Sequence, residues 1–436
     1  MAGGHVARPP SPDFTSEYDS LEKVMDTFFP HTFFTGNRQN LYKELKSGSA
    51  LVLTAAAEMQ YTLDASYPFS QEPNFWYLTG VNRAGWLLVV DVDSRTEYLV
   101  APTVAEVHRI FDGSLSAEDA AKTSGVAHVI GKREGARIVK DLLARKGHVY
   151  TLLPQNVRHY GFHPNPAQRA LVRKLRSAKS LEDIRTTLTR QRAIKQPLEI
   201  DALQKAIDIT LDGLRAIIRR LPDLKSENEA EAILAYEFRR RAARHGFEPI
   251  VAAGKNATTL HYENNNAALH GSDWLLMDVG ASIHHYTADI TRSLPLGKAT
   301  DRQLALYEAL RQAQQDIIAL IKPGTPIEEY AEQAEHVLYK AFARVDLVSG
   351  KFSRSALYKI MPHAISHGLG YDPHDPLGLS RGDTLKPGMV LTAEIGIYLP
   401  DESFGIRLED DILVEPSGSR NMSGALSTEL KKLFSA

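Results

Sequence analysis

Four acidic residues lie within or beside apolar runs of this sequence, where a folded chain normally buries hydrocarbon side chains. These residues are Asp278, Asp289, Glu394 and Glu409. Each apolar run predicts a β-strand. An ionised carboxylate removed from water costs several kcal/mol unless it is paired or coordinates a metal, so four of them require a shared positive partner. Two divalent cations would balance the four negative charges.

The composition limits the metals and the partners that we expect. The 436 residues include no cysteine, so carboxylates and imidazoles must hold any metal, a ligand set that suits Mn, Co, Fe or Zn. A formal net charge of -2 gives no general attraction to nucleic acid or to a membrane surface. No apolar run reaches the roughly 18 residues that span a bilayer. Residues 1–10 lack the pattern of a secretory or transit signal, so we expect a cytoplasmic protein without nucleic-acid or membrane partners.

The chain is long enough for two or three domains at roughly 150 residues each. Residues 1–35 are rich in proline and turn formers and predict a poorly ordered arm. Residues 36–185 predict an α/β domain, because short apolar runs alternate with helical patterns. The runs lie at 50–53, 86–90, 97–100 and 148–153, and the helical patterns lie near 36–46, 103–110, 134–145 and 165–178.

The pattern of apolar residues changes after a charged, helical stretch at 180–195 that ends before Pro197. Apolar residues keep helical spacing over 198–218 and over 304–321, and the strands that carry the carboxylates come between and after these helices. Residues 186–436 therefore predict a second domain, of the α+β class.

Strand periodicity places a hydroxyl and a guanidinium beside the carboxylates. Residues two apart share one face of a sheet, so Thr291 lies on the face of Asp289, and Arg407 on the face of Glu409. Metal sites need such groups to orient their carboxylate ligands. Each acidic residue taken singly also fits a turn or a solvated strand end, so the prediction of a metal site rests on the four together.

A loop rich in histidine lies between the two pairs of carboxylates. His363, His367 and His374 occur in one short segment among glycine and proline. We expect one of them to be a metal ligand and the others to serve in proton transfer or in stabilising an oxyanion. His261 is a further catalytic candidate, although a single histidine in such a place is more often structural.

These motifs resemble those of the aminopeptidase P and prolidase family of pita-bread dimetal peptidases. The ligand order Asp, Asp, His, Glu, Glu of that family is matched, with local context, by Asp278, Asp289, His367, Glu394 and Glu409. The first domain looks like the aminopeptidase P type, because residues 67–69 and 74–80 are similar to its N-terminal segment. The resemblance implies an α/β N-terminal domain followed by an α+β pita-bread catalytic domain.

The resemblance also implies a role for each ligand. Asp289 and Glu409 would bridge two divalent metal ions, Asp278 would bind one of them, and His367 and Glu394 would complete the other. We expect Mn²⁺, with Co²⁺, Zn²⁺ or Fe²⁺ as alternatives. Two positions depart from the family pattern, since Ile395 replaces a proline and Ala288 replaces a glycine, and neither is a ligand.

The remaining roles concern catalysis and substrate. Glu394 would carry the proton from water to the departing amine, and His261 and His374 would donate hydrogen bonds to the reacting carbonyl. The residues expected to bind substrate are His363, Trp76, Tyr398 and Arg407. Tyr398 and Arg407 would also form an outer shell around Asp278. A contact from Arg381 is left open, because the stretch 376–383 looks short for the family.

The function implied is an Xaa-Pro aminopeptidase, which removes the N-terminal residue from peptides with proline in the second position. Three alternatives remain: an Xaa-Pro dipeptidase (prolidase), a creatinase-like hydrolase, and a metal-free peptide-binding module. We expect the protein to be a homo-oligomer, either a dimer or a tetramer.

Overall fold

The structure is a computed structural model and describes residues 28–154, 164–377 and 382–435. Most of the predicted N-terminal arm, residues 1–27, and Arg381 lie outside the described residues. The described chain forms an α/β domain followed by an α+β domain, as predicted. Within these ranges, no helix is both long enough and apolar enough to cross a membrane.

The first domain is built on a mixed sheet of six strands in the order β4-β3-β2-β1-β5-β6. Its strands are β1 Ser49–Thr54, β2 Leu87–Asp91, β3 Thr96–Ala101, β4 His128–Gly131, β5 His148–Thr151 and β6 Leu181–Asp183. Its helices are α1 His31–Tyr42, α2 Pro73–Thr79, α3 Glu106–Asp112, α4 Ala117–Ser124, α5 Lys132–Arg145 and α6 Pro166–Lys174. All six residues of the inner strand β1 are buried, which explains its continuous apolar run.

Several local features differ from the prediction, which also lacked the short helices α2 and α4. Helix α1 begins at His31, inside the segment predicted as a disordered arm, because Phe33 and Phe34 are buried in the core. The short strands β4 and β6 at the two edges of the sheet were not predicted. The stretch at 180–195 contains strand β6 and then helix α7 (Arg185–Ala193) rather than one continuous helix.

Helix α8 (Pro197–Arg220) opens the second domain, and its start is fixed by local sequence. Pro197 occupies the first turn, where a missing N–H costs nothing, and Gln196 and Glu199 form a reciprocal capping box. Its apolar stripe, including Leu203, Ile207 and Leu214, is fully buried.

The second domain is built on an antiparallel sheet in the order β13-β14-β12-β9-β8, with β15 paired to β14. The strands of this sheet are β8 Ile250–Ala253, β9 Trp274–Val279, β12 Ile290–Pro295, β13 Val390–Leu399, β14 Phe404–Glu415 and β15 Gly418–Asn421. A small sheet joins β7 Arg244–His245, β10 Ala281–Ile283 and β11 Tyr286–Thr287. The further helices are α9 Glu227–Arg239, α10 Asp301–Ile318, α11 Ile327–Arg344, α12 Arg354–Ile360 and α13 Leu430–Leu433. Asp289 lies just before β12 rather than within a strand.

Candidate metal centre and active site

Three of the four predicted acidic ligands lie in one row across the antiparallel sheet. Thr291 of β12 pairs with Asp278 of β9 on one side and with Glu409 of β14 on the other. Glu409 pairs in turn with Glu394 of β13. Directly opposed residues of antiparallel strands point to the same side of the sheet, so the three carboxylates share one face. Asp289, two residues before Thr291, joins them there.

His367 faces these carboxylates from the histidine-rich loop. The loop is tied to β13, since the backbone N–H of Thr392 donates to the carbonyl of His367 at 2.9 Å. The Nε2 atom of His367 lies 3.7 Å from an oxygen of Asp289, 3.7 Å from one of Glu409 and 4.0 Å from one of Glu394. Its Nδ1 lies 3.1 Å from the carbonyl oxygen of Gly368. A proton on Nδ1 would leave Nε2 free to bind a metal.

The five predicted ligands form two groups that could each hold one cation. One group contains Asp278, Asp289 and Glu409, and the other contains His367, Glu394 and Glu409, with ligand atoms within 4.8 Å of one another in each. Glu409 belongs to both groups, as the predicted bridging role requires. Asp289 also forms a third group with His367 and His374. The imidazole of His374 therefore lies close enough to be considered as a ligand.

Two buried oxygens show that the site fits divalent cations. Asp278 Oδ1 and Glu409 Oε1 have no hydrogen-bond partner in the part of the chain that the structure describes. The nearest cationic group to Glu409 Oε1 is His367, whose Nε2 at 3.7 Å is beyond hydrogen-bonding distance. Glu409 is only 1% exposed. Because buried carboxylate oxygens without partners are costly, the donor set fits a pair of cations.

Without cations, the site stabilises protonated carboxyl groups. Burial, followed by the charge of Glu409, raises the pKa of Glu394 to about 8. Burial and the same neighbour raise the pKa of Asp289 well above its usual value. Burial would lower the pKa of His367, but the carboxylates of Glu409 and Glu394 and the carbonyl of Gly368 together outweigh burial, and the pKa rises to about 9. Bound cations would therefore replace protons.

A chain of hydrogen bonds orients the carboxylates from behind. Arg407 donates to Asp278 Oδ2 at 2.5 Å, to the hydroxyl of Tyr398 at 2.9 Å and to Thr291 Oγ1 at 3.3 Å. Thr291 donates in turn to Glu409 Oε2 at 2.9 Å. The hydroxyl and the guanidinium expected from strand periodicity are thus in place, and Arg407 holds Asp278 as predicted.

The other histidines line an open cleft of about 640 Å³ beside the carboxylates. His363 Nε2 lies 2.9 Å from the Tyr398 hydroxyl, and burial lowers the pKa of His363 to about 4. His374 stacks on His367 with ring centroids 4.0 Å apart, and burial followed by the charge of His367 lowers the pKa of His374 to about 4. His261 lies on the cleft wall and is exposed. Neutral His374 can offer one N–H to a substrate oxygen at neutral pH. The single N–H of neutral His363 is directed instead to the carbonyl oxygen of Ala364, 2.8 Å from its Nδ1.

A buried ionic network fixes the loop that carries His374. Its neighbour Asp375 is 3% exposed and accepts from Arg192 at 2.5 Å and from Lys195 at 3.1 Å. Arg192 also donates to Asn74 of the first domain at 2.9 Å. Both domains therefore hold His374 in position, a feature that the sequence analysis missed because these partners are far apart in the chain.

Comparison with known proteins assigns a family to this geometry. Residues 201–416 match Metallopeptidase family M24, and residues 34–150 match the N-terminal domain of aminopeptidase P. The Xaa-Pro aminopeptidase of Escherichia coli K12 is 30% identical over 421 residues, which cover 90% of this chain and 94% of that protein. The chain belongs to the aminopeptidase P family.

Two further relatives extend the match. The structure of aminopeptidase P from E. coli with the inhibitor Pro-Leu has a TM-score of 0.84 and 27% identity, covering 93% of this chain and 98% of that one. The mitochondrial Intermediate cleaving peptidase 55 of Arabidopsis thaliana is 27% identical over 413 residues, which cover 92% of this chain and 81% of the plant protein. The predicted pita-bread catalytic domain and the metallopeptidase class are therefore confirmed.

Within this aminopeptidase P fold, two residues expected to bind substrate are placed otherwise. The indole of Trp76 is 2% exposed and packs against Phe29, His285 and Tyr371, with ring centroids 4.6 to 5.4 Å apart. It therefore fills the core between the two domains rather than lining the cleft. Tyr398 is 4% exposed, and its hydroxyl is already shared by His363 and Arg407, so its role is to position these residues.

Further residues of the site were not found from the sequence. Asp411 lies two residues after Glu409 on the same face, and its Oδ2 accepts the backbone N–H of Asp289 at 3.2 Å. Burial, followed by the charge of Glu409, raises the pKa of Asp411 well above its usual value. The period of two could have identified it. Phe247 and Glu263 also line the cleft, and they follow no pattern that would have identified them.

Proposed function

We propose that the protein is an Xaa-Pro aminopeptidase, which cleaves the bond between an N-terminal residue and a proline in second position. The observation that carries this proposal is the group of five metal ligands beside three histidines, in a chain that matches aminopeptidase P along both domains. A metal-free binding module would have no use for three buried carboxylates and a fourth, Glu394, that is partly buried beside them. A creatinase-like activity has no support from these relatives.

The chain's own residues can carry the proton and orient the substrate. When bound, two divalent ions would supply Lewis acidity and make water nucleophilic near neutral pH. As the water oxygen adds to the scissile carbonyl carbon, Glu394 would take a proton from water. It would then give that proton to the proline nitrogen as the C–N bond breaks. His374 and His261 would donate hydrogen bonds to the carbonyl oxygen as it gains negative charge.

Proline selectivity is proposed from the chemistry of the scissile bond. A proline nitrogen carries no hydrogen, so most peptidases lose a hydrogen bond that they need there. The cleft is bordered by Pro362 and Pro373 as well as by the histidines, and these apolar rings suit the ring of a substrate proline.

One assay on metal-reconstituted protein tests this proposal. We expect Xaa-Pro-Yaa to be cut after Xaa, and Xaa-Ala-Yaa to be at least about tenfold poorer in kcat/KM. The N-acetylated peptide should resist cleavage. Cleavage restricted to the dipeptide Xaa-Pro would instead identify a prolidase, and equal turnover of the alanine peptide would refute proline selectivity.

The number and identity of the metals are part of the proposal. Two cations per chain are supported by the two ligand groups that share Glu409. We propose Mn²⁺ because all but one of the five ligands are carboxylates, which suit Mn²⁺. Elemental analysis after reconstitution should give two ions per chain. Activity restored by Zn²⁺ but not by Mn²⁺ would contradict the choice of metal.

We also propose that the protein forms a homo-oligomer through its first domain. Helix α3 has no buried residue and exposes Ile110 and Phe111 by 77% and 80%, and the neighbouring loop exposes Leu63 by 98%. Both segments border one pocket, through Glu58 and His108. Exposed apolar groups on this scale mark interaction surfaces. Light scattering should show a dimer or tetramer that Phe111→Glu dissociates, whereas a monomeric wild-type protein would refute the proposal.

We also propose a cytoplasmic location, which needs a direct test because one relative is named as mitochondrial. Cell fractionation with antibodies against the chain should place it with cytosolic markers. Recovery of the protein with the mitochondrial matrix would refute this location.

A further inference from the structure

The first domain contains a groove that is as large as the catalytic cleft and separate from it. It lies between helices α5 and α6 above strands β2 and β3, and its volume is about 610 Å³. We call it the first-domain groove. None of its lining residues lines the catalytic cleft. Its volume falls within the roughly 300–1,000 Å³ of pockets that bind small molecules.

Small side chains keep the first-domain groove open. Ala136 of α5 and Ala167 and Ala170 of α6 line it, at positions where larger apolar residues would fill the space between two helices. Gly135 lets α5 approach the sheet, since a Cβ there would overlap Val100. The groove is therefore built into the packing of the two helices and does not depend on a mobile surface loop.

The walls of the first-domain groove are apolar, and its charges are all positive. Leu87, Val139 and Leu171 contribute apolar surface, whereas Lys132, Lys140 and Lys174 are its charged lining residues. No acidic residue lines it, and these lysines form no ion pair or hydrogen bond with any residue in the described ranges.

The acidic residues of α5 are directed elsewhere. Glu134 lies 4.0 Å from Arg137, and Asp141 lies 2.8 Å from Arg145, and neither acid lines the groove. The lysines recur at positions 132 and 140, which share one helical face with Ala136. Two unpaired positive charges of the helix, those of Lys132 and Lys140, thus border the groove.

We propose that the first-domain groove binds an amphipathic carboxylate, with an acyl chain on the apolar walls and its head group at the lysines. Apolar walls favour a hydrocarbon body, and unpaired lysines favour an anionic head. This binding would be additional to peptide hydrolysis and does not depend on it.

Calorimetric titration of the full, metal-loaded chain with decanoate tests the proposal. We expect one saturable site per chain, with binding at least about tenfold weaker for decanol, which lacks the charge, and for acetate, which lacks the tail. Absence of saturable decanoate binding at about 1 mM would refute the proposal. So would equal binding of decanol.

Substitutions in the first-domain groove test whether decanoate binds there. The double variant Lys140→Glu, Lys174→Glu should weaken decanoate binding at least about tenfold, and the exposed control Lys298→Glu should leave it within about twofold. Ala170→Trp should fill the groove and abolish binding, provided that its melting temperature shows a folded protein. The lysine variants test the proposal even if Ala170→Trp does not fold.

A carboxylate could also bind at the metal centre, so the titration is repeated after chelation. Binding that persists in chelated protein supports the first-domain groove. Binding that disappears on chelation, or that is unchanged in the double lysine variant, would assign decanoate to another site and refute the proposal.

Discussion

The two faces of the catalytic sheet treat neighbouring carboxylates in opposite ways. Glu409 and Asp410 are adjacent in β14 and point to opposite faces. Asp410 Oδ1 accepts from Arg292 at 2.6 Å and from Ser423 at 2.6 Å. Glu409 Oε1, on the other face, has no hydrogen-bond partner among the described residues.

The difference shows where the chain supplies its own cation and where it leaves the cation to be bound from solution. We call the face of Asp410 the rear face and the face of Glu409 the front face. Arg292 is fully buried and also donates to the carbonyls of Leu426 and Glu409, so the negative charge on the rear face is balanced by a cation of the chain itself. The front face has an excess of buried negative charge. A chain able to pair Asp410 so fully could have paired Glu409 in the same way. The lack of a hydrogen-bond partner at Glu409 Oε1 is therefore best explained by metal binding.

The largest expected effect is on activity. Glu409→Gln should lower kcat/KM for an Xaa-Pro-Yaa peptide at least about 10³-fold, because a ligand shared by both cations is lost. Metal content should fall with it. Asp410→Asn, one residue away, is the matched control and should keep both metals. Wild-type activity in Glu409→Gln would remove the front face from the mechanism.

A substitution at His374 distinguishes a role in substrate contact from a role in metal binding. If its imidazole stabilises the reacting carbonyl, His374→Ala should lose about 10²–10³ in kcat while keeping its metals. Steady-state kinetics and elemental analysis on the same sample measure both quantities. A variant that loses metal and recovers full activity on reconstitution would show that His374 acts as a ligand.

Substitutions on the two faces should change the free energy of unfolding in opposite directions. In chelated protein, Asp410→Asn should lower the free energy of unfolding by about 3–5 kcal/mol, because it leaves the buried Arg292 without its partner. Glu409→Gln should raise it, since it removes one negative charge from a buried site where several carboxylates repel one another. Urea denaturation of the two variants provides the comparison, and a shift of the same sign in both would contradict it.

The stability of chelated protein should also depend on pH. The pKa of Glu394 is raised from 4.5 to about 8, so the folded state holds its proton more tightly than the unfolded state. The stability from this group is complete below about pH 4.5 and is lost as pH rises to about 8. His367, with its pKa raised to about 9, acts with the same sign. Metal-loaded protein should not show this decline, and a chelated protein that gains stability over this range would refute the assignment.

Local patterns were enough to predict the four clustered carboxylates and most of the fold, whereas the choice of His367 among the histidines of the loop came from the family resemblance. The period of two placed Thr291 and Arg407 beside the carboxylates, and helical spacing identified α8 and α10. The edge strands β4 and β6 were missed because they contain no buried residue and at most two consecutive apolar residues. Contacts that depend on tertiary packing could not be predicted either. The aromatic residues at 75–77 all look equally suited to a core or a cleft, and Arg192, which donates to Asp375, lies 183 positions away from it.

The row of ligands also has a consequence for the order in which the protein is made. Thr291 and Glu409 are 118 positions apart, so the sheet that holds the carboxylates cannot be completed until β14 has left the ribosome. The sheet of the first domain ends at Asp183 and can form much earlier. A growing chain would therefore carry a folded first domain for some time with no peptidase centre. Hydrolysis would begin only when synthesis has passed Glu409.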